Sequence, residues 1–322
     1  MSLRRPGRRT PDAPDAARAQ EEHDALLYTR VAAEQLITAS QVLVAEQRQS
    51  HAEIQALRRE LTEVRAELAA AGALLRDGFE SLVDDELGTR EQLRQVRAGA
   101  DYGAAWTDPE PLVSIVIPTY VHWQLLEERA IPSALAQTYP NIEVVVVGDA
   151  AAEETAAAIA RIGDPRVRYE NLTIRGPYPE EARKRWFIAG SGPMNRAMEL
   201  ARGRWIAFLN DDDAMRPEHV AVLLDEARRT AAEVVYGKLQ LHTPDGEQGV
   251  YGAFPPADHA FGWQLAIHHR DLRFFEYQLA AALFDHPGDW HRAQRMMRAG
   301  VRFAQIDAVI CDYYPSQLWT ER

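Results

Sequence analysis

A short apolar run that ends in acidic residues, WIAFLNDDD at 205–213, constrains the fold more than any other stretch of the chain. The apolar part predicts a buried strand, and Asn210 with the three aspartates at 211–213 marks the carboxyl end of that strand. Open α/β sheets bind their ligands at this edge. Adjacent carboxylates repel one another unless a cation or backbone N–H groups neutralise them, and oxygen ligands favour Mg²⁺ or Mn²⁺. The stretch therefore predicts either a metal site at a sheet edge or a solvated acidic loop before a helix.

Short apolar runs alternate with helical segments upstream of that stretch. The run at 112–117 is β-branched and short, the run at 142–147 is nearly all apolar, as expected of a strand that is buried on both faces, and 167–169 predicts a further short strand. Segments between them predict helices, and another helix is expected over 193–201, where Gly203 follows its end. This alternation predicts an α/β domain with a doubly wound, mostly parallel sheet and flanking helices.

Two further segments are expected to border the same edge of the sheet. Residues 175–192 combine Gly and Pro with cations at 183–185, which predicts a loop whose charges either contact a bound phosphate or pair with nearby glutamates. Downstream, apolar runs over 232–241 and 248–254 flank a turn sequence at 244–246 and predict a hairpin.

The N-terminal part of the chain has a different composition. Residues 15–96 contain few Gly or Pro and are dominated by Ala, Glu, Gln, Arg and Leu, which is typical of long helices. Within them a seven-residue apolar repeat runs through Ile54, Leu57, Leu61, Val64, Leu68, Ala71 and Leu75. The repeat predicts a left-handed coiled coil, with a break near Gly72, Gly78 and Gly88. We expect a homo-oligomer formed through this segment or, alternatively, helices that fold back on the globular domain as a cap.

These changes of composition divide the chain into four predicted regions. They are a disordered basic tail at 1–20, a helical coiled-coil segment at 21–98, a linker rich in Gly, Pro and Asp at 99–110, and the α/β domain at 111–322.

Charge and cysteine content exclude several classes of protein. A net charge of −12 argues against nucleic acid as a general partner, because phosphate binding needs a positive face. The single cysteine, Cys311, excludes an internal disulfide framework and fits a reducing compartment. The N-terminal arginines precede no apolar segment, so a secretory signal is not expected. The chain is expected to be cytoplasmic, with at most peripheral contact at the inner face of the membrane.

Three motifs in this order resemble the family 2 glycosyltransferases of the GT-A fold. They are SIVIPTY (114–120), QTYPNIEVVVVGD (137–149) and NRAMELARGRWIAFLNDDD (195–213), and the similarity extends over about 111–314. The resemblance implies inverting transfer of a sugar from a nucleotide sugar, with a UDP-sugar favoured, to a hydroxyl of a saccharide or other acceptor. It also implies Mg²⁺ or Mn²⁺ on the diphosphate of the donor, and a role in the synthesis of a cell-surface polysaccharide or glycoconjugate.

The resemblance also implies roles for individual residues. Residues expected to bind the donor are Pro118, Thr119, Tyr120, Asp149, Lys184, Asn195, Asn210 and Asp211. Asp212 is the expected metal ligand, with Asp213 as a second one. The stretch FDHPGDWH at 284–291 resembles the Glu-Asp-Trp element of the family, which implies that Asp289 is the general base, with Asp285 as the alternative.

Three positions depart from the family pattern. Asn210 replaces the first carboxylate of the Asp-any-Asp motif, Gly148 replaces the first of two acids after the second strand, and Gly288 replaces the Glu before Asp289. These departures favour an alternative function, a catalytically weak nucleotide-binding scaffold organised by its coiled coil. The aspartates that remain favour an enzyme.

Overall fold

The computed structural model describes residues 13–83, 86–243 and 248–315. The chain divides into two compact units, Met1–Asp77 and Gly78–Arg322. The predicted turn at 244–246 and the first twelve residues of the predicted basic tail lie outside the described residues.

The helices are numbered in chain order. They are α1 (Ala13–Val83), α2 (Glu86–Arg97), α3 (Ala104–Thr107), α4 (Trp123–Leu125), α5 (Ile131–Leu135), α6 (Glu153–Ile162), α7 (Ala182–Ile188), α8 (Ser191–Leu200), α9 (His219–Thr230) and α10 (Gly288–Ala299). A π-helical turn, Leu126–Ala130, joins α4 to α5, and 3₁₀ turns cover Trp263–Leu265, Arg270–Phe274 and Leu279–Leu283.

The strands are also numbered in chain order. They are β1 (Val113–Thr119), β2 (Ile142–Gly148), β3 (Val167–Asn171), β4 (Trp205–Phe208), β5 (Ala214–Met215), β6 (Val234–His242), β7 (Gln248–Tyr251), β8 (Ala266–His269) and β9 (Phe303–Tyr313).

Helix α1 forms most of the first unit and is 71 residues long. It begins at Ala13, so the last part of the predicted disordered tail is helical. Gly72 and Gly78, near which a break was predicted, both lie inside this helix, and Gly88 lies inside α2. The apolar residues of the seven-residue repeat are exposed along it. Among the helices that the structure describes, none combines the length and apolarity that a bilayer crossing needs.

The described strands form one sheet in the order β3-β2-β1-β4-β8-β6-β9-β5, and β7 pairs with β6. Strands β3, β2, β1 and β4 are parallel, with Val116 opposite both Val145 and Phe208. The predicted α/β fold is confirmed. The sheet is mixed, because β8 runs antiparallel to both β4 and β6. The parallel half brings the carboxyl ends of β1, β2 and β4 to one edge, where the acidic stretch leaves the sheet.

Both faces of the parallel half are buried. Val144 and Val146 of β2 belong to one hydrophobic core, and the alternate residues Val145 and Val147 belong to the core on the opposite face. Successive side chains of a strand point to opposite faces, so a strand covered on both sides must be apolar throughout. This explains the continuous valine run in the sequence.

The segment predicted to be a linker instead packs against the sheet. Tyr102 and Ala105 of this segment are buried, as is Leu93 of α2 before it. The Tyr102 hydroxyl donates to Glu233 Oε1 at 2.5 Å, and the Trp106 ring nitrogen donates to the Ala232 carbonyl at 3.0 Å. The Gly and Asp content of this segment suggested flexibility, but its aromatic side chains bury against the start of β6. Residues from α2 onward therefore belong to the second unit.

Candidate functional site

The acidic stretch and the turn after β1 meet at the edge of the sheet. Thr119 Oγ1 donates to Asp211 Oδ2 at 2.8 Å, and His122 Nδ1 lies 3.2 Å from Asp211 Oδ1. One ligand atom each from His122, Asp211 and Asp212 lies within 4.8 Å of the others. The hydrogen bond with Asp211 raises the pKa of His122, although burial opposes it.

The electrostatics of this cluster fit a divalent cation. Burial and the neighbouring Asp211 charge raise the pKa of Asp212 to about 6. A carboxyl group with a raised pKa is one whose negative charge the protein does not neutralise. A cation held by Asp211, Asp212 and a neutral His122 would supply that missing charge, and carboxylate oxygens with an imidazole suit a metal such as Mn²⁺.

Asp213, the second predicted metal ligand, points away from this cluster. It is fully buried, and its carboxylate accepts hydrogen bonds from Asn210 Nδ2 at 2.7 Å and from the Tyr314 backbone N–H at 2.9 Å. Asp213 is thus engaged by the protein itself, and its role as a second metal ligand stays a prediction. This arrangement also gives a reason for Asn210, since an aspartate at 210 would face the buried Asp213 carboxylate with a second negative charge.

Asp149 follows β2 at the same edge of the sheet. Its Oδ2 accepts a hydrogen bond from the Tyr178 hydroxyl at 2.7 Å, and its Oδ1 accepts one from the Gly176 N–H at 3.3 Å. The Arg175 guanidinium lies 4.0 Å from the centre of the Tyr120 ring. Asp149 therefore sits beside an aromatic ring that is paired with a cation.

An acid at position 148, as in the family pattern, would have to displace neighbouring side chains. A Cβ atom at Gly148 would come within 2.3 Å of Asn171 Oδ1 and 2.8 Å of the Tyr169 hydroxyl. Asn171 uses its side-chain amide to bond both the N–H and the carbonyl of Ala151. The amide of Asn171 thus takes the space, and it holds the chain that follows Asp149.

Two cavities adjoin this edge, each with a volume of about 430 Å³. The acidic cavity is lined by residues that include Thr119, Tyr120, His122, Asp149, Arg175, Arg185, Asp211 and Asp212. The aromatic cavity is lined by residues that include Trp186, Tyr251, Phe261, Tyr277, Asp289 and Trp290. Pro118, Trp186, Ala189, Gly190, Asn210 and Tyr313 line both. The two cavities are therefore neighbouring spaces that share a wall.

Asp289 lies in the wall of the aromatic cavity, in the first turn of α10. The Trp263 ring nitrogen donates to the backbone carbonyl of Asp289 at 3.1 Å, which fixes the start of the helix. Burial raises the pKa of the Asp289 carboxyl, while the nearby Tyr277 side chain and the charge of Arg292 lower it to a smaller extent. An aspartate with a raised pKa beside an open cavity can accept a proton from a bound molecule.

Gly288, which stands where the family has a Glu, and Asp285, the alternative general base, differ from Asp289 in their surroundings. A Cβ atom at Gly288 would lie 2.9 Å from the Phe187 carbonyl, so the packing of α7 against α10 excludes a glutamate there. Asp285 is exposed and pairs with Arg183 at 3.1 Å. The structure therefore leaves Asp289 as the carboxylate of this element that faces the aromatic cavity.

Two of the predicted donor-binding residues do not reach the acidic cavity. Lys184 pairs with Glu181 on the exposed side of α7, at 2.8 Å. The side-chain amide of Asn195 hydrogen-bonds the Tyr277 backbone, donating to the carbonyl at 2.9 Å and accepting from the N–H at 2.8 Å. Asn195 thus holds Tyr277 beside Asp289. Residues 182–188 also form a helix where a loop was predicted, and Arg185 of that helix lines the acidic cavity.

Three residues in or beside the acidic cavity were not singled out from the sequence. His122 and Arg175 line the cavity, and Tyr178 donates a hydrogen bond to Asp149, which also lines it. His122 left a signal, since it comes three residues after Thr119 in the turn that follows β1. Arg175 and Tyr178 could not be singled out, because their loop is rich in charged and turn-forming residues and several of its arginines could equally contact a bound phosphate.

Comparisons with known proteins agree with this geometry. Residues 114–298 match the model of the family described as "Glycosyl transferase family 2". The chain is 37% identical over 140 residues to the succinoglycan biosynthesis protein ExoO of Rhizobium meliloti, which covers 43% of this chain and 36% of that protein. It is 35% identical over 102 residues to WfaP of Escherichia coli, named as a UDP-Glc:alpha-D-GlcNAc-diphosphoundecaprenol beta-1,3-glucosyltransferase, covering 32% of this chain and 36% of that protein. The chain thus spans about a third of the length of both relatives.

A solved structure shares the fold. The crystal structure of S. aureus TarS 1-349 in complex with UDP-GlcNAc superposes with a TM-score of 0.50 at 16% identity. The superposition covers 64% of this chain and 59% of that one.

Proposed function

The chain belongs to glycosyl transferase family 2, and we propose that it transfers a sugar from a nucleotide-sugar donor to an acceptor hydroxyl with inversion at the anomeric carbon. One observation carries the proposal. A cavity with unneutralised carboxylates, Asp211 and Asp212, shares a wall with a cavity in which Asp289 faces the open space. This arrangement suits a reaction between a diphosphate-bearing donor in one cavity and a proton-releasing acceptor in the other.

In this proposal the acidic cavity binds the donor. Pro118, Thr119, Tyr120 and Asp149 line the part of the cavity that would hold the nucleoside, with Asp149 accepting a hydrogen bond from the base. His122, Asp211 and Asp212 would hold Mg²⁺ or Mn²⁺. When bound, the cation neutralises charge on the diphosphate leaving group.

Asn210 belongs to the wall shared by the two cavities, and Asp211 lines the acidic cavity beside it. Thr119 fixes Asp211 by its hydrogen bond, and Asn210 lines both cavities. Their oxygens are therefore placed for hydrogen bonds to the ribose or the transferred sugar. Arg175 and Arg185 give the acidic cavity two cations from the protein itself.

Asp289 serves as the general base. It takes the proton of the acceptor hydroxyl as that oxygen attacks the anomeric carbon from the face opposite the nucleotide. The new carbon–oxygen bond forms while the bond to the diphosphate breaks, and the nucleoside diphosphate leaves with the bonding electron pair. The aromatic rings of Trp186, Phe261 and Trp290 offer apolar faces against which a sugar ring of the acceptor can pack.

We propose a UDP-sugar as the donor and cell-surface polysaccharide or glycoconjugate as the product. The name of the Escherichia coli relative, which uses UDP-Glc, and that of the Rhizobium relative, a succinoglycan biosynthesis protein, support these two choices. The alternative, a catalytically weak nucleotide-binding scaffold, is favoured by Asn210, Gly148 and Gly288, but each of these residues also fits its surroundings in the fold.

A donor panel tests the proposed function. We expect the wild-type protein with Mn²⁺ to release nucleoside diphosphate from at least one sugar among UDP-, dTDP- and GDP-linked donors. Asp212→Ala should lower that rate by about 10²–10³-fold, the loss typical of removing one electrostatic contact to a transition state. The variant should fold normally, since the Asp212 carboxylate is under electrostatic strain without the cation.

The matched control is Asp225→Ala, which removes an exposed aspartate of α9. Its rate should equal that of the wild type. Thermal stabilisation by nucleoside diphosphates, with and without Mn²⁺, measures binding separately from turnover. Stabilisation by a nucleotide without release of sugar from any donor would contradict the enzymatic function and favour the scaffold.

The raised pKa of Asp289 predicts the pH dependence of transfer. A general base must be unprotonated, so we expect kcat/KM to fall as the pH decreases through a pKa above the ordinary aspartate value of about 4. The profile should be measured at saturating Mn²⁺, so that protonation of His122 and Asp212 does not limit the rate. The residual activity of Asp289→Asn should lack this acidic limb, and an unchanged limb in that variant would assign it to another group.

A further inference from the structure

Helix α1 presents an apolar face that no described residue covers. Ile54, Leu57, Leu61, Val64, Leu68 and Leu75 are between 49% and 72% exposed. Long helices in proteins owe most of their stability to packing of an amphipathic face. A face of this length therefore calls for a partner with the same seven-residue spacing.

The repeat defines a register on this face. Ile54, Leu61, Leu68 and Leu75 occupy the a positions, and Leu57, Val64 and Ala71 occupy the d positions. Upstream the repeat is looser, because Leu26, Leu36 and Leu43 fall at a or d positions while Thr29, Ser40, Gln47 and Ser50 occupy others. These upstream leucines are exposed as well.

The residues that flank the a and d positions carry opposite charges on opposite sides. Each g position from 46 to 67 is a glutamate, at Glu46, Glu53, Glu60 and Glu67. The e positions carry basic groups, at His51, Arg58 and Arg65, until Gly72 ends the pattern. One edge of the apolar face is thus acidic and the other basic.

This charge pattern distinguishes between directions of pairing. In a parallel, in-register coiled coil, each g residue lies opposite the e residue five positions later on the partner helix. Glu53 would then face Arg58 of the second copy, and Glu60 would face Arg65 of the second copy. In an antiparallel pair, g faces g and e faces e, which sets glutamates against glutamates and arginines against arginines.

We propose that residues 46–75 pair with the same residues of a second copy of this chain, parallel and in register. The apolar face supplies the attraction, and the acidic and basic edges select the direction. A partner of unrelated sequence, or the chain's own globular domain, would have no reason to match both the seven-residue spacing and the alternation of charge at g and e.

Disulfide trapping tests the direction. In the parallel pair, the two copies of residue 57 lie side by side in one d layer, so the full-length Leu57→Cys variant should form an intermolecular disulfide on mild oxidation. In an antiparallel pair the d positions face a positions, so residue 57 would lie opposite an a residue such as Leu68 of the second copy and would not cross-link to its own counterpart. The matched control is Arg59→Cys, at the outer f position, which should stay largely reduced. The native Cys311 is buried and does not compete.

Charge reversal tests whether the acidic g positions and the basic e positions select the direction of pairing. Arg58→Glu combined with Arg65→Glu turns each g–e contact of these two layers from attraction into repulsion. We expect this to weaken association by about tenfold or more, as measured by sedimentation equilibrium of the full chain. Adding Glu53→Arg and Glu60→Arg to the same chain should restore association. The control pair Arg48→Glu and Arg59→Glu, at outer b and f positions, should change it little.

Three results would overturn the proposal. They are a full-length chain that stays monomeric at all concentrations, cross-linking of Leu57→Cys no faster than that of Arg59→Cys, and equal weakening by the inner and outer charge reversals.

Discussion

Replacement of Asp289 by Asn should lower the rate of sugar transfer by on the order of 10²–10⁴-fold, the usual contribution of a positioned general base. Asn keeps the shape of the side chain but cannot take a proton. The Trp263 ring nitrogen bonds the backbone carbonyl of residue 289, so the start of α10 should be unaffected. Binding of the donor should also be unchanged, because Asp289 lines the aromatic cavity and not the acidic one.

The measurement is the initial rate of transfer at saturating donor and Mn²⁺, together with the affinity for the nucleoside diphosphate. Asp285→Asn is the matched control, since Asp285 belongs to the same approach to α10 but pairs with Arg183 at the surface. Its rate should stay close to that of the wild type. If Asp289→Asn retained full activity and Asp285→Asn lost it, the assignment of the base would be wrong.

Replacement of Glu233 by Gln should destabilise the second unit by about 1.5–3 kcal/mol, the usual contribution of hydrogen bonds to a charged group. The Glu233 carboxylate has no solvent exposure. It accepts hydrogen bonds from Arg97 Nε at 2.7 Å, Arg97 Nη2 at 2.6 Å and the Arg302 N–H at 2.9 Å, besides that from Tyr102. Gln keeps the volume but removes the charge that these donors share.

The pH dependence of this effect has a definite sign. Burial raises the pKa of Glu233, but the hydrogen bonds from Arg97 and Tyr102 outweigh burial and lower the pKa below its ordinary value. A depressed pKa contributes stability that is present above the unfolded-state pKa and is lost as the pH falls through the folded-state pKa. The difference in unfolding free energy between wild type and Glu233→Gln should therefore be largest near neutral pH and shrink in acid.

Denaturant unfolding, followed by tryptophan fluorescence, measures this difference. Glu170→Gln serves as the control, because Glu170 makes two similar hydrogen bonds to Arg196 but is about 39% exposed. Exposed ion pairs contribute about 0–1 kcal/mol. Equal losses from the two substitutions would mean that the buried cluster adds nothing beyond an ordinary surface pair.

The parallel half of the fold could be predicted from the sequence, because strands buried on both faces leave an unmistakable apolar run. The acidic end of β4 could be predicted as well, since a charged stretch directly after such a run is expected at the edge of the sheet. The packing of Tyr102 and Trp106 was not predicted. Gly, Pro and Asp describe local flexibility, whereas burial of an aromatic ring depends on a partner, Glu233, more than a hundred residues away.

The candidate site shows the same limit. Asp149, Asp211 and Asp212 all follow strands, and the topology brings them to one cavity. Lys184 and Asn195 were placed by their distance along the chain, and the orientation of a helical side chain depends on packing that the linear pattern does not contain. Asn210 and Asp213 could be understood only as a pair, because the first supplies the amide hydrogen that the second needs in the interior.

The wall shared by the two cavities has a consequence for the kinetics of the enzyme. Gly190, Asn210 and Tyr313 line both spaces, so a molecule bound in one forms part of the surroundings of the other. Thermodynamic linkage is reciprocal, so donor and acceptor must change each other's affinity by the same factor. We expect the apparent dissociation constant of either substrate to depend on the concentration of its counterpart, and a compulsory order of addition when that factor is large.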